Sequence, residues 1–289
     1  VYITGSNAYF MSGELATVLS GRYVEIQMLP LSFKEFNLGL DEQYGNLSLK
    51  EKFNLYVNYG SFPFITKYNN FTDDSKDYLQ GIFDTILNKD IARRLNIADT
   101  VSLENVTKFL LHSIGNKISP TKIANTLKSA GKSVDQKTVD KYIKGLVDSM
   151  LIYEAGRYNI KGKQFLSTQS KYYVVDVGMR NALVKSSESD IGHILENIVY
   201  LELKRRYKNV YVGEIDSGEV DFVSVNDNKY EYYQVSATTL DENTLKRELA
   251  PFGKIKDNYP KYLLTLDDVF SNADYNGVQK INVLEWLLK

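Results

Sequence analysis

The chain has no cysteine among its 289 residues, which excludes disulfides, thiolate zinc sites and cysteine nucleophiles. Histidine is nearly missing too. His112 and His193 are the only two and lie far apart, so histidine-based metal sites and catalytic triads are poorly supplied. No apolar run is long enough to cross a bilayer and no charged-then-apolar leader is seen, so the expectation is a cytoplasmic protein with no membrane partner. An excess of one charge is also lacking: 35 Lys and Arg face 36 Asp and Glu, a net charge of −1. The chain as a whole is no polycation, and any nucleic-acid role must come from a local patch. HExxH, EF-hand and GxSxG patterns are absent.

A phosphate-binding loop is missing as well. It needs two glycines at fixed spacing between a strand and a helix, because its backbone amides wrap the phosphates. Gly131-Lys132-Ser133 has the right ending, but Thr126 stands where the first glycine should be and a helix precedes it. Two apolar runs ending in aspartate, Val174-Val175-Asp176 and Leu264 to Asp268, read as turn or cap residues rather than magnesium ligands.

The composition that remains, 43% hydrophobic and 25% charged, is that of a globular protein of two or more domains. The 22 tyrosines and 13 phenylalanines read as filler of cores and strands. Val1-Tyr2-Ile3 is strand-like, and Tyr23–Leu29 alternates as a half-exposed strand. Ser32-Phe33-Lys34-Glu35 is a capping box. Residues 41–100 read as helices interrupted at Gly60–Pro63, with an amphipathic helix over Ile82–Leu95. Helices follow over about 103–114, from Ser119-Pro120 to near Gly131, and over about 136–149. Strands over Leu151–Tyr158, turning near Gly156, and Lys171–Asp176 come next. Three short helices and then a hairpin is the order of a winged helix-turn-helix. The last hundred residues switch to a helix at Ile191–Tyr207, strands at 211–213, 219–225 and 230–237, a helix at 241–250, a strand at 262–266 and a closing element at 281–288.

Several stretches, taken in order, resemble a microbial family of AAA-type P-loop ATPases. Ile3-Thr4-Gly5-Ser6-Asn7, Leu19-Ser20-Gly21-Arg22-Tyr23 and Leu29-Pro30-Leu31-Ser32-Phe33 resemble the end of its nucleotide-binding core. Lys89-Asp90-Ile91, Lys171-Tyr172-Tyr173, Asp176-Val177-Gly178, Glu196-Asn197, Glu219-Val220-Asp221-Phe222 and Arg247-Glu248-Leu249 resemble the C-terminal domain of unknown function that accompanies that core. The resemblance covers essentially the whole chain. It implies a P-loop and a metal-binding aspartate N-terminal to Val1. ATP and Mg are then cofactors of the full-length relative, and no cofactor is expected for this stretch, which by itself should neither bind nor hydrolyse ATP. By the same resemblance Ser6 and Asn7 would sense the terminal phosphate. Arg22 would either offer its guanidinium to that phosphate or make a structural ion pair.

Residues 117–146 hold seven lysines against two aspartates, a net +5. Lys137, Lys141 and Lys144 repeat along the third helix, away from Val139, Ile143 and Leu146. Such a row suits phosphate contact but discriminates bases poorly, so weak, salt-sensitive DNA binding is expected; a solvated face on a protein-docking module is the other reading.

The order of elements over 191–237 resembles the PD-(D/E)xK nuclease architecture, in which carboxylates hold a metal and a lysine helps to activate water. Asp221 fits the strand aspartate and Glu196 the helix carboxylate, while Glu202 on the apolar face of that helix is an alternative acid, either inward-facing or paired with an arginine such as Arg247. The third motif falls on Gln234-Val235-Ser236, where Gln234 brings no charge and Ser236 replaces the lysine. A degenerate pocket with weakened metal affinity is expected.

The fold class expected is thus α/β, in a mixed α+β multi-domain chain. A remnant of the ATPase core spans 1–40, a helical lid or linker 41–100, a winged helix 101–176 and a PD-(D/E)xK-like domain 177–289. The function expected is a non-catalytic DNA- or protein-binding module, coupled to ATP only in the full-length protein. The alternatives are a metal-dependent nuclease, or a partner-docking scaffold of the toxin–antitoxin kind, with a protein partner or self-association.

Overall fold

The computed structural model describes residues 5, 22, 24–67, 71–185, 187, 190–216, 218–227 and 229–289. Ser32 caps the first described helix, α1 (Phe33–Tyr44), and Ser48 caps α2 (Leu49–Tyr59); in both, the glutamate three residues on closes a capping box. Helix α3 (Asp73–Thr85) runs on as a π-helical turn over Ile86–Arg93. Phe33, Phe53 and Tyr56 pack edge to face at 5.4 and 5.5 Å and bind α1 to α2.

Next come α4 (Thr100–His112), β1 (Lys117–Ile118), α5 (Pro120–Ser129) and α6 (Gln136–Asp148). Asp99, Ser119 and Asp135 cap the three helices, and Pro120 sits at the first turn of α5, where its missing N–H has no partner to lose. The hairpin β2 (Ile152–Asn159) and β3 (Gln164–Val174) follows. Its turn lies at 160–163, not near Gly156. Gly156 instead sits in a bulge, where the pairing of β2 with β3 shifts between Ala155 and Arg157; a glycine inside a strand relieves the local kink rather than reversing the chain.

A helix that periodicity did not reveal, α7 (Val177–Leu183), starts at Asp176 and packs on α2 and α3. A Cβ on Gly178 would lie 2.0 Å from the Gly60 nitrogen, so the two backbones touch. Asp176 seals the joint by accepting from the Ser61 N–H and hydroxyl and from the Met179 N–H. Residues 176–183 thus pack on the helices of residues 49–85.

The rest of the chain forms α8 (Ile191–Arg206), β4 (Asn209–Ile215), β5 (Gly218–Asn226), β6 (Lys229–Ser236), α9 (Glu242–Leu249), β7 (Lys261–Thr265), β8 (Asp274–Tyr275), β9 (Val278–Asn282) and α10 (Val283–Leu287). Among the described residues the strands make one mixed sheet in the order β1-β3-β2-β4-β5-β6-β7-β9-β8. The parallel pairing of β2 with β4, Arg157 opposite Val212 through Asn159 opposite Glu214, joins the hairpin edge-on to the C-terminal strands. One contiguous core runs from Phe33 to Leu287, and a smaller one lies on the other face around Tyr158, Val223, Tyr232 and Leu263.

The strand expected over Tyr23–Leu29 is not formed across residues 24–29. Val24, Ile26 and Met28 are 87%, 79% and 84% exposed. Alternation makes a strand only where a neighbour satisfies the backbone, and no described strand pairs with this stretch. No helix among the described residues is long and apolar enough to cross a membrane.

Candidate functional site

Helix α8 is buried from Ile194 to Leu203, so its polar side chains must find protein partners. Asn197 does so by mimicking a strand. Its Oδ1 accepts from the Val174 N–H at 2.8 Å and its Nδ2 donates to the Val174 carbonyl at 2.9 Å. This clamp fixes α8 against β3 and brings Glu196 over two β3 residues that point the same way. Lys171 Nζ donates to Glu196 Oε1 at 2.8 Å, and the Tyr173 hydroxyl donates to the same oxygen at 2.5 Å. Below them the rings of Tyr173 and Tyr200 stack at 4.3 Å, with Phe222 beside both.

Strand β5 supplies two more acids by the same alternation. Glu219 Oε1 lies 2.7 Å from Lys171 Nζ and Asp221 Oδ1 lies 3.6 Å from it. Glu219 also pairs with Lys117 at 2.5 Å. Asp221 Oδ2 accepts from the Val235 N–H at 2.9 Å, and the Asp221 N–H donates to Gln234 Oε1 at 3.3 Å. Gln234 Nε2 donates to Glu248, which Arg247 grips with two N–H groups. These groups line a cleft of about 900 Å³ that also reaches His193, Ser236 and Thr238. Gly115, at φ +72°, lets its turn close on the cleft, since a Cβ there would lie 2.9 Å from His193 Nδ1 and 3.1 Å from Glu196 Oε2.

Burial disfavours the Lys171 ammonium, but Glu196, Asp221 and Glu219 outweigh it and raise its pKa, so the side chain stays charged. Burial also works against the Glu196 carboxylate, yet Lys171, His193 and Tyr173 hold its pKa below the usual value. Asp221 goes the other way: burial and the adjacent Glu196 charge push it up, with Lys171 only partly compensating. The ammonium of Lys171 therefore stands among the three acids and offsets part of their charge. Among the described residues no three His, Cys, Asp or Glu converge as metal ligands would.

The sequence-derived candidates divide clearly. Glu196, Asp221, Gln234 and Ser236 meet in the cleft. Glu202, six residues further along α8, does not: it pairs with Arg206 at 2.7 Å and Arg205 at 3.5 Å, not with Arg247. Lys137, Lys141 and Lys144 are exposed on α6, and Lys141 donates to the Leu95 carbonyl. Arg22 is exposed; Ser6 and Asn7 lie outside the described residues. Sequence reasoning missed Lys171, Glu219 and Glu248 as members of the cleft, and Tyr173 as the buried hydroxyl that holds Glu196. The period-two spacing of Lys171 with Tyr173, and of Glu219 with Asp221, was the available signal.

Residues 1–37 match the AAA domain, and residues 50–190 match a domain of unknown function, DUF8612. An uncharacterised protein of Haemophilus influenzae is 39% identical over the whole chain, which spans 71% of that protein. The uncharacterised protein MJ1544 of Methanocaldococcus jannaschii is 33% identical over 98% of the chain, which spans 65% of its length. No solved structure matches. With this identity along its full length, the chain belongs to the same family as the Haemophilus influenzae protein.

Proposed function

We propose that the chain is the DNA-binding, non-hydrolytic part of an AAA-type ATPase, coupled to ATP and Mg only through the nucleotide-binding core of the longer protein. The observation that carries this reading is the lysine row on α6. Lys137, Lys141 and Lys144 face solvent while Val139, Tyr142, Ile143 and Leu146 on the opposite face are buried. Helices α5 and α6 followed by the β2–β3 hairpin support a winged helix-turn-helix with α6 as its DNA-facing helix. Lys141 is engaged with Leu95, which leaves Lys137 and Lys144 as the phosphate contacts. The test is retention of duplex DNA across a salt series. Each phosphate contact contributes about 0.9 to the slope of log affinity against log salt, so K137E/K144E should lower the slope by roughly 2. Binding that ignores salt, or a double variant that binds as well as the parent, would overturn the reading.

A second reading, a metal-dependent PD-(D/E)xK-like nuclease, is favoured by one observation: a lysine does reach Glu196 and Asp221, although from β3 rather than from the third motif. Magnesium-dependent nicking of plasmid that disappears in Asp221→Ala would establish it. Plasmid left intact with magnesium present would exclude it.

A further inference from the structure

The opposite face of the sheet carries binding chemistry that neither the α6 lysines nor the acidic cleft uses. The β2–β3 turn and the segment 254–257 border a hollow of about 500 Å³ lined by Lys161, Lys163, Lys254 and Lys256, with Asp216 and Asp257. Both aspartates are committed. Asp216 faces Lys161 at 3.5 Å; Asp257 accepts from the Tyr232 hydroxyl at 2.7 Å and lies 3.9 Å from Lys261. Lys163, Lys254 and Lys256 are exposed and have no carboxylate partner among the described residues, so the rim holds three uncompensated positive charges.

A row of rings adjoins these charges. Lys163 Nζ sits 5.7 Å over the Tyr230 ring, and Tyr230 stacks with Tyr158 at 6.1 Å. Tyr158 meets Phe165 at 5.6 Å, and Phe165 meets Tyr211 at 5.1 Å. Phe165 is 68% exposed although it pairs with Tyr158 in the β2–β3 hairpin. The part of the ring that Tyr158 and Tyr211 leave bare is hydrated at a loss, and a flat ligand stacked on it would recover that loss. Lysines attract phosphate by charge alone, and rings stack any base.

We propose that this face binds single-stranded nucleic acid, with backbone phosphates on Lys163, Lys254 and Lys256 and a base stacked on Phe165 beside Tyr211. The site is separate from the α6 row and independent of the reading given to it. Duplex DNA keeps its bases stacked inside and cannot use Phe165, whereas an acidic peptide would satisfy the lysines but leave the ring bare.

The experiment is fluorescence anisotropy of a labelled oligo(dT) strand with the 289-residue chain at low salt. F165A and K254E/K256E should each weaken binding by about tenfold or more. F165W, which keeps a stacking ring, should bind at least as well as the parent and shows that any loss in F165A is not a folding defect. K137E/K144E should weaken duplex binding more than oligo(dT) binding, and F165A should do the reverse, which separates this site from the α6 row. Undetectable binding of oligo(dT), full affinity in F165A, loss of affinity in F165W, or competition by inorganic polyphosphate as effective as by oligo(dT) would each overturn the proposal.

Discussion

Lys171 and Glu196 are 25 residues apart in the chain and share a buried contact of 2.8 Å, one on the hairpin and the other on the helix that backs the C-terminal strands. The pair joins two stretches that the sequence presents as separate domains. Glu219 and Asp221 on β5 complete the cluster, so a helix and two strands meet on one ammonium. The positive charge is required there because three carboxylates within reach of one another repel in a medium that screens poorly.

Removing the ammonium should be costly. Lys171→Met leaves buried acids without their cation, and a loss of about 3 kcal/mol is expected in urea unfolding. The sign with pH follows from the carboxylates. Without Lys171 the folded pKa of Glu196 rises above its unfolded value and that of Asp221, already raised, climbs further, so stability falls as pH climbs past the usual carboxylate range. The deficit should therefore be larger at about pH 8 than at about pH 5. An equal deficit at both would mean that the acids are not charged in the folded protein.

The clamp on Val174 has its own consequence. Asn197→Ala strands the Val174 N–H and carbonyl in a buried environment, and about 2 kcal/mol or more should be lost. Amide hydrogen exchange at Val174 should speed up in the variant, and an unchanged rate would argue against the clamp.

Gly178 and Gly60 permit α7 to lie against α2. A methyl group at Gly178 would meet backbone atoms, not a flexible side chain, so neighbours cannot move aside cheaply. Gly178→Ala should cost about 3 kcal/mol, read as a lower thermal midpoint. A variant as stable as the parent would show that the helices separate without penalty.

Asp267 sets an acid limit. Burial raises its pKa, but Lys280, Thr238 and Thr239 bind the carboxylate and depress it to about 2. Because this lies below the ordinary value of 3.8, the stabilisation is complete above about pH 4 and is lost as pH falls through about 2. The component amounts to about 2 kcal/mol. Asp267→Asn should remove it, so the variant's stability should change less steeply between about pH 4 and pH 2 than the parent's. Parallel curves would refute the assignment.

Much of this arrangement was legible residue by residue. Ser32, Ser119 and Pro120 announce their helices because capping is a local interaction between a side chain and the amides just ahead of it. Asp221 and Gln234 follow from the strand motif and its side-chain alternation, and Glu196 from family pattern alone. Gly156 misled, since a glycine within a strand signals a turn or a bulge equally well. Tyr23–Leu29 misled because alternation describes a strand's faces and says nothing about whether a partner strand exists. Lys171 escaped notice as a site residue because it belongs to a hairpin assigned to another unit, and only the parallel pairing of β2 with β4 carries it to the acids.

The amino-acid order by itself determines the caps, the helical and strand periods, the cationic row on α6 and the excess of acids near residues 196–221, since all of these depend on neighbours within a few positions. It does not determine which cation neutralises those acids, which of Glu196 and Glu202 faces the cleft, or that Phe165 and the lysines of residues 254–256 share one face. Those depend on contacts between residues distant in the chain. They are decided only when the hairpin joins the C-terminal strands and the low dielectric of the shared core forces every buried charge to find its partner.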